Sequence, residues 1–300
     1  MSNDTFRFQL GVFGCMAIND GNSPYSDPAT IFFVNAPKEQ LKKALVDHNL
    51  DISRWKEYIS PYPSLLIDTG QHRVLVDTGE GSLEPTTGKL IPNLRAEGIA
   101  PEDIDTVILT HAHPDHIGGN IDNHGKPTFP NARYVLSKDE WAFWSQKPSL
   151  NALDISESDK KLIIKCARDY LLPLQNQIKL VNYGEQIVPG VYGVAAPGHT
   201  PGHMAVSIIS GSKQMLCVGD ALIHPIHVER PEWYLKYDLV PRQIVETRRQ
   251  LLARAATGKV LVHAFHFPFP GLGYVVQKGD GWQWQTMSTR SKSTDFAEKL

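Results

Sequence analysis

The sequence predicts an α/β sandwich. Strand-like runs outnumber helix-like ones, hairpins are mixed with single crossovers, and several apolar runs end on His or Asp residues. A doubly wound sheet would alternate strand and helix more regularly. At 300 residues and 41% hydrophobic content the chain can bury a large core. No composition shift marks a second domain, so residues 1–300 read as one unit, with residues 1–60 an N-terminal elaboration on the core.

The elements follow from periodicity and punctuation. Residues 6–16 and 29–34 read as strands separated by a polar Gly/Asn/Ser/Pro loop, and 37–49 as a helix with Lys and Glu outward. Residues 64–68 and 72–77 form a hairpin across Thr69-Gly70-Gln71 that closes on Asp77-Thr78-Gly79. A helix is expected at 93–98, a strand at 106–109, a strand at 133–136, and helices at 138–145 and 159–171. Strands recur at 178–181, 192–196, 204–210 and 213–219. A helix with a basic face at 241–256 precedes a strand at 258–262, a hairpin over 274–287 and a polar tail from Ser288.

Net charge of −2 without a basic stripe excludes nucleic acid as the main partner. No apolar stretch reaches membrane-span length, and the first residues lack the basic and apolar regions of a secretion signal. Cys15, Cys166 and Cys217 are odd in number and far apart, which fits reduced, buried thiols and a cytoplasmic location.

The densest chemistry lies in Thr110-His111-Ala112-His113-Pro114-Asp115-His116, directly after an apolar run and before Ile117-Gly118-Gly119-Asn120. Imidazole nitrogen and carboxylate oxygen are the ligand set of zinc and related divalent ions. Other apolar runs lead to His199 in Pro197-Gly198-His199-Thr200, to Asp220, and to His263 and His266. One loop is too cramped for a single four-ligand site, because each nitrogen approaches its ion at roughly 2.0–2.1 Å. Two ions resolve this. His111, His113 and His199 would hold one. Asp115, His116 and a closing histidine, His263 or His266, would hold the other. Asp220 would bridge, since a carboxylate has two oxygens. A strand-end argument alone favours His263.

These motifs, with Asp77-Thr78-Gly79 and Gly219-Asp220, resemble the metallo-β-lactamase superfamily over most of the chain and in the same order. The resemblance implies a four-layer αββα sandwich. The segment 264–273, with Phe267-Pro268-Phe269-Pro270-Gly271 after His266, resembles the branch of quorum-quenching lactonases and methyl-parathion-hydrolase-like enzymes, and selects His266 as the last ligand. It implies two divalent ions, zinc first with manganese, cobalt or iron as alternatives, and a homodimer.

A metal-bridging hydroxide attacking a lactone or ester carbonyl is the expected chemistry, with Asp220 holding both ions and Asp115 protonating the leaving group. Phosphotriester and β-lactam hydrolysis rank behind it. A di-iron oxidoreductase of the same fold would place Glu at position 113, and a non-catalytic descendant would have lost ligands. Asp77, His203, His224, His227, Tyr234, Tyr237 and His263 are the remaining candidates for orienting a ligand or touching a small-molecule substrate. Asp77 would hold a ligand imidazole, and His203 would pack behind His199. Trp141, Trp144, Trp233, Phe265, Phe267 and Phe269 lie near the expected mouth, most of them as core.

Overall fold

The computed structural model describes residues 4–288; the first three residues and the tail after Ser288 lie outside them. One seven-stranded sheet runs β1 (Thr5–Leu10), β2 (Phe13–Ser26), β3 (Glu57–Asp68), β4 (Arg73–Val76), β5 (Thr106–Ile108), β6 (Arg133–Ser137) and β7 (Ile178–Val181), side by side in chain order. The second contains β8 (Gln186–Val188), β9 (Val191–Ala195), β10 (Met204–Ser210), β11 (Lys213–Cys217), β12 (Leu261–His263), β13 (Leu272–Lys278) and β14 (Gly281–Thr286). β4 to β7 pair in parallel, as do β11 and β12; the other neighbours are antiparallel.

The helices are α1 (Pro28–Phe32), α2 (Lys38–Asp47), α3 (Leu90–Ala96), α4 (Pro114–Ile117), α5 (Lys138–Trp144), α6 (Glu157–Cys166), α7 (Ile226–Glu229) and α8 (Pro241–Gly258). Period-two alternation explains the layering. Leu65, Ile67, Val74 and Val76 meet Met204, Val206, Ile208 and Met215 between the sheets. Their neighbours Leu66 and Leu75 turn outward onto Leu90 and Leu94 of α3, with Trp144 of α5 and Ile163 of α6 in the same layer. On the far side, Ala205, Leu216 and Val262 pack on Ile244, Leu251 and Leu252 of α8. Strands buried on both faces read as the near-continuous apolar runs seen in the sequence. The αββα layering is the expected one.

Three expectations near the N-terminus are corrected. Residues 29–34 contain the helix α1 rather than a strand. Pro28 occupies its first turn, where the ring pre-sets φ, and Phe32 is buried by the fold of the turn. A short apolar run carries too little periodicity to separate the two states. The polar stretch before it is not a loop. β2 continues through Ser26 across a bulge between Asn19 and Asn22, because β3 offers it a partner along that length. Residues 6–16 are themselves two strands folded at Gly11, which has φ of 61°.

The carboxyl ends of the parallel strands β4 and β5, and of β11 and β12, open at one edge of the sandwich. Crevices outside such ends are where α/β sheets place ligands.

Candidate metal centre

The turn after β5 presents His111, His113, Asp115 and His116. It is held by two buried carboxylates. Asp77, just past β4 with φ of 59°, accepts the Thr110 N–H at 2.7 Å and the Thr110 hydroxyl at 2.8 Å. Asp is among the residues that tolerate this left-handed region best. Glu140 of α5 accepts the Ala112 N–H at 2.9 Å, and on its other oxygen the Thr200 hydroxyl at 2.6 Å and the Gly202 N–H at 3.1 Å. That one carboxylate ties the first histidine turn to the β9–β10 loop carrying His199. The approach is so close that a Cβ on Gly202 would lie 1.9 Å from the Glu140 nitrogen. Asp220 follows β11 and His266 follows β12, completing seven side chains at one focus.

Their atoms form two groups. His111, His113, His199 and Asp220 make one, and Asp115, His116, Asp220 and His266 the other, with ligand atoms inside each group within 4.8 Å of one another. In the first, His113 Nδ1 lies 2.8 Å from His199 Nε2, which lies 3.3 Å from Asp220 Oδ2; His111 Nε2 is 3.8 Å from the same oxygen. In the second, His116 Nε2 and His266 Nε2 stand 3.0 and 3.2 Å from Asp220 Oδ1, and 3.6 and 3.3 Å from Asp115 Oδ2. Four donors at zinc distance in a tetrahedron sit about 3.3 Å apart. The observed separations, 2.8–3.8 Å, lie on either side of that edge length. His111 Nε2, His116 Nε2 and Asp220 Oδ1 are buried without a hydrogen-bond partner, a cost that a bound cation removes. The residues present therefore fit two divalent ions, with Asp220 common to both donor groups.

The outward nitrogens are held separately. His116 Nδ1 meets Asp77 Oδ2 at 2.8 Å, His199 Nδ1 meets Asp238 Oδ1 at 2.9 Å, His266 Nδ1 meets the Ser60 hydroxyl at 2.8 Å, and His111 Nδ1 meets the Thr110 hydroxyl at 3.1 Å. Such contacts orient each ring and fix which nitrogen is free to ligate. Burial, reinforced by neighbouring imidazoles, keeps His111 and His113 well below the ordinary imidazole range, so both are neutral donors. Burial opposes ionisation of Asp220, but His266 and His116 beside it outweigh that and hold its carboxyl well below the usual range.

The family model described as the metallo-beta-lactamase superfamily matches residues 60–265. The chain belongs to the metallo-β-lactamase superfamily. An N-acyl homoserine lactonase of a Bacillus species is 26% identical over 198 residues, covering 59% of this chain and 69% of the relative. A solved structure described as AidC, a dizinc quorum-quenching lactonase in complex with a product, superposes with a TM-score of 0.87 at 28% identity, covering 95% of this chain and 97% of that one. A hydrolase called AbOPH, described as in the β-lactamase superfamily, gives 0.84 at 27% identity over 96% and 99%.

Within this superfamily fold, the other candidates divide. Asp77 orients His116. His203 does not hold His199: its Nε2 accepts the Asp220 N–H at 3.0 Å, so it steadies the shared carboxylate's backbone instead. His263 lies outside both groups, with Nδ1 3.4 Å from the Cys217 sulfur. His224 and His227 are buried behind the site. His227 Nε2 meets the Phe32 carbonyl, and the His224 ring packs among Phe32, Phe33, Trp55 and Tyr58. Tyr237 lines the cleft above the metal groups, whereas Tyr234 does not. Phe265 packs on His116 at a tilt of 32° with centroids 4.1 Å apart, and Trp144 donates to Glu140 at 2.7 Å. The cleft wall also draws on the N-terminal region, through Tyr25, Phe32 and Tyr62, with Ile223 and Leu235 in the same cluster as Phe32 and Ile163 of α6 completing the lining. Sequence reasoning missed these, and also Ser60, Asp238, Glu140 and Glu80. The signal for Glu80 was its place directly after Asp77-Thr78-Gly79.

Proposed function

We propose that this chain is a dinuclear metal-dependent hydrolase that opens lactone or ester carbonyls, with an N-acyl homoserine lactone as the first substrate to test. The observation that carries the reading is the pair of four-donor groups sharing Asp220 on the floor of an apolar-walled cleft. The names of the Bacillus relative and of the AidC structure support the substrate and the zinc. His111, His113, His199 and Asp220 would hold one ion, and Asp115, His116, Asp220 and His266 the other. When bound, two such ions supply a strong nucleophile from water near neutral pH and stabilise developing negative charge. The chain's own groups do the rest. Asp77, Asp238, Ser60 and Thr110 keep the imidazoles in place, and the apolar wall excludes water from the acyl side. Asp115 turns Oδ2 towards His116 and His266, which leaves Oδ1 to take up the proton released when water becomes the nucleophile and to return it to the departing alkoxide.

The whole chain serves as one unit in this reading. Its N-terminal sixty residues elaborate the core and wall the cleft through Tyr25 and Phe32. No helix among the described residues is long and apolar enough to cross a membrane. A cytoplasmic location fits three buried free cysteines. A homodimer is the expected assembly, checked by sedimentation.

Elemental analysis of purified protein should find about two zinc ions per chain. A panel of acyl-homoserine lactones, aryl esters, phosphotriesters and β-lactams should show the highest kcat/KM on the lactones, lost on chelation. Metal-loaded protein that turns over phosphotriesters or β-lactams but no lactone would reassign the substrate. Fewer than one ion per chain would undo the dinuclear reading.

A further inference from the structure

Glu80 stands in the wall of the cleft beside the metal groups, lining the same space as Asp115, Asp220 and His266. Among the described residues its side chain enters no hydrogen bond and no ion pair, and Oε2 is buried without a partner. Its backbone, by contrast, is firmly seated. The Glu80 N–H donates to the buried Asp20 carboxylate at 2.9 Å, and that carboxylate also accepts N–H groups of Gly81, Gly88 and Leu90. Gly118 packs so tightly behind it that a Cβ there would lie 2.1 Å from the Glu80 carbonyl oxygen. The residue is thus delivered to the cleft by a rigid loop, while its polar end is left unsatisfied.

A third carboxylate next to Asp115 opposes the anion that forms during acyl transfer, and an unpaired buried oxygen is costly in itself. Among the described residues nothing pairs with the group. Burial and the charge of Asp115 push it up to about 8, and in either ionisation state it keeps an acceptor oxygen.

We propose that Glu80 is a specificity-determining residue whose free oxygen accepts a hydrogen bond from an N–H carried by the substrate next to the reacting carbonyl. The inference rests on the lactonase reading above and deepens it. The cleft is built to favour lactones bearing an acylamino substituent over those of the same shape without the donor. A site that presents an unpaired acceptor rejects an analogue lacking the donor, because desolvation of that acceptor is then uncompensated.

The test compares an α-acylamino-γ-butyrolactone with the α-acyloxy analogue, in which an ester oxygen replaces the N–H. Wild-type enzyme should prefer the acylamino compound by about tenfold or more in kcat/KM, mostly through KM. In Glu80→Leu and Glu80→Ala the preference should collapse towards unity, while Glu80→Gln, which keeps an acceptor oxygen, should retain most of it. Each ratio is taken within one protein preparation, so partial misfolding of a variant cancels. Equal efficiency on both compounds in the wild type, or an unchanged preference in the Leu and Ala variants, would overturn the role of Glu80 alone. Turnover of neither compound by metal-loaded wild type would overturn the lactonase reading and this inference with it.

Discussion

Asp238 shows how ligand geometry depends on groups that never face the cleft. It is fully buried, receives the His199 Nδ1–H on one oxygen, and on the other receives the Leu235 N–H at 2.8 Å and Arg248 Nη2 at 3.2 Å. Arg248, itself buried, also donates Nε to the carbonyl of Ala221 at 2.6 Å and Nη1 to that of Trp233. One guanidinium therefore braces His199 through Asp238 and the chain next to Asp220 directly. Replacing Asp238 with Asn keeps an acceptor but strips the buried cation of its counter-charge. We expect about 10–100-fold weaker zinc binding in competition with a chelator; unchanged affinity would show that His199 needs no such brace. At this scale the seven clustered residues were legible, because tightly spaced His and Asp after apolar runs have few other uses. Asp238, Ser60 and Glu140 were not. A carboxylate or hydroxyl that orients a ring comes from wherever the chain happens to pass, at no fixed spacing from the ligand.

Among the elements, α8 has the clearest sequence logic. Ile244, Thr247, Arg248, Leu251, Leu252 and Ala255 are its buried face, at the three-and-four spacing of a helix lying on a sheet. Arg248 occupies a core position in that stripe, and its charge is tolerated because each of its three nitrogens finds an acceptor and Asp238 supplies the counter-charge. Leu251→Ala should cost about 2–5 kcal/mol in urea unfolding by opening a cavity under the second sheet. A cost below the low end would mean that α8 settles freely onto the gap. Expected and observed boundaries agree within a few residues for β6, β7, β10 and α8, whose patterns are strong. They fail for α1 and the second half of β2. In β2 a polar sequence is recruited by β3, and in α1 a short apolar run carries too little periodicity to tell helix from strand.

For the molecule as a whole, buried histidines outside the metal groups predict how stability changes with pH. Burial, with His48 nearby, lowers His224 to about 3, against about 6.5 unfolded. Its neighbours include the titratable groups of His48, His227 and Tyr58. Between those two values the unfolded chain binds the proton and the folded one does not, so stability falls as pH drops below about 6.5. His224→Phe should flatten that slope by up to about 1.4 kcal/mol per pH unit, read from urea midpoints between pH 7 and 4.5. An equally steep slope in the variant would place the acid sensitivity elsewhere.

The sequence by itself determined the layering, the run of strands and the identity of the clustered donors, because periodicity and ligand chemistry are local properties. Tertiary structure alone decided that Asp220 stands between the two groups and that Tyr25, Phe32 and Glu80 furnish the cleft, whereas the choice of His266 over His263 was already carried by the motif that follows it. Those outcomes depend on where separate loops meet across two sheets. Contact between residues remote in the chain leaves no periodic trace along it.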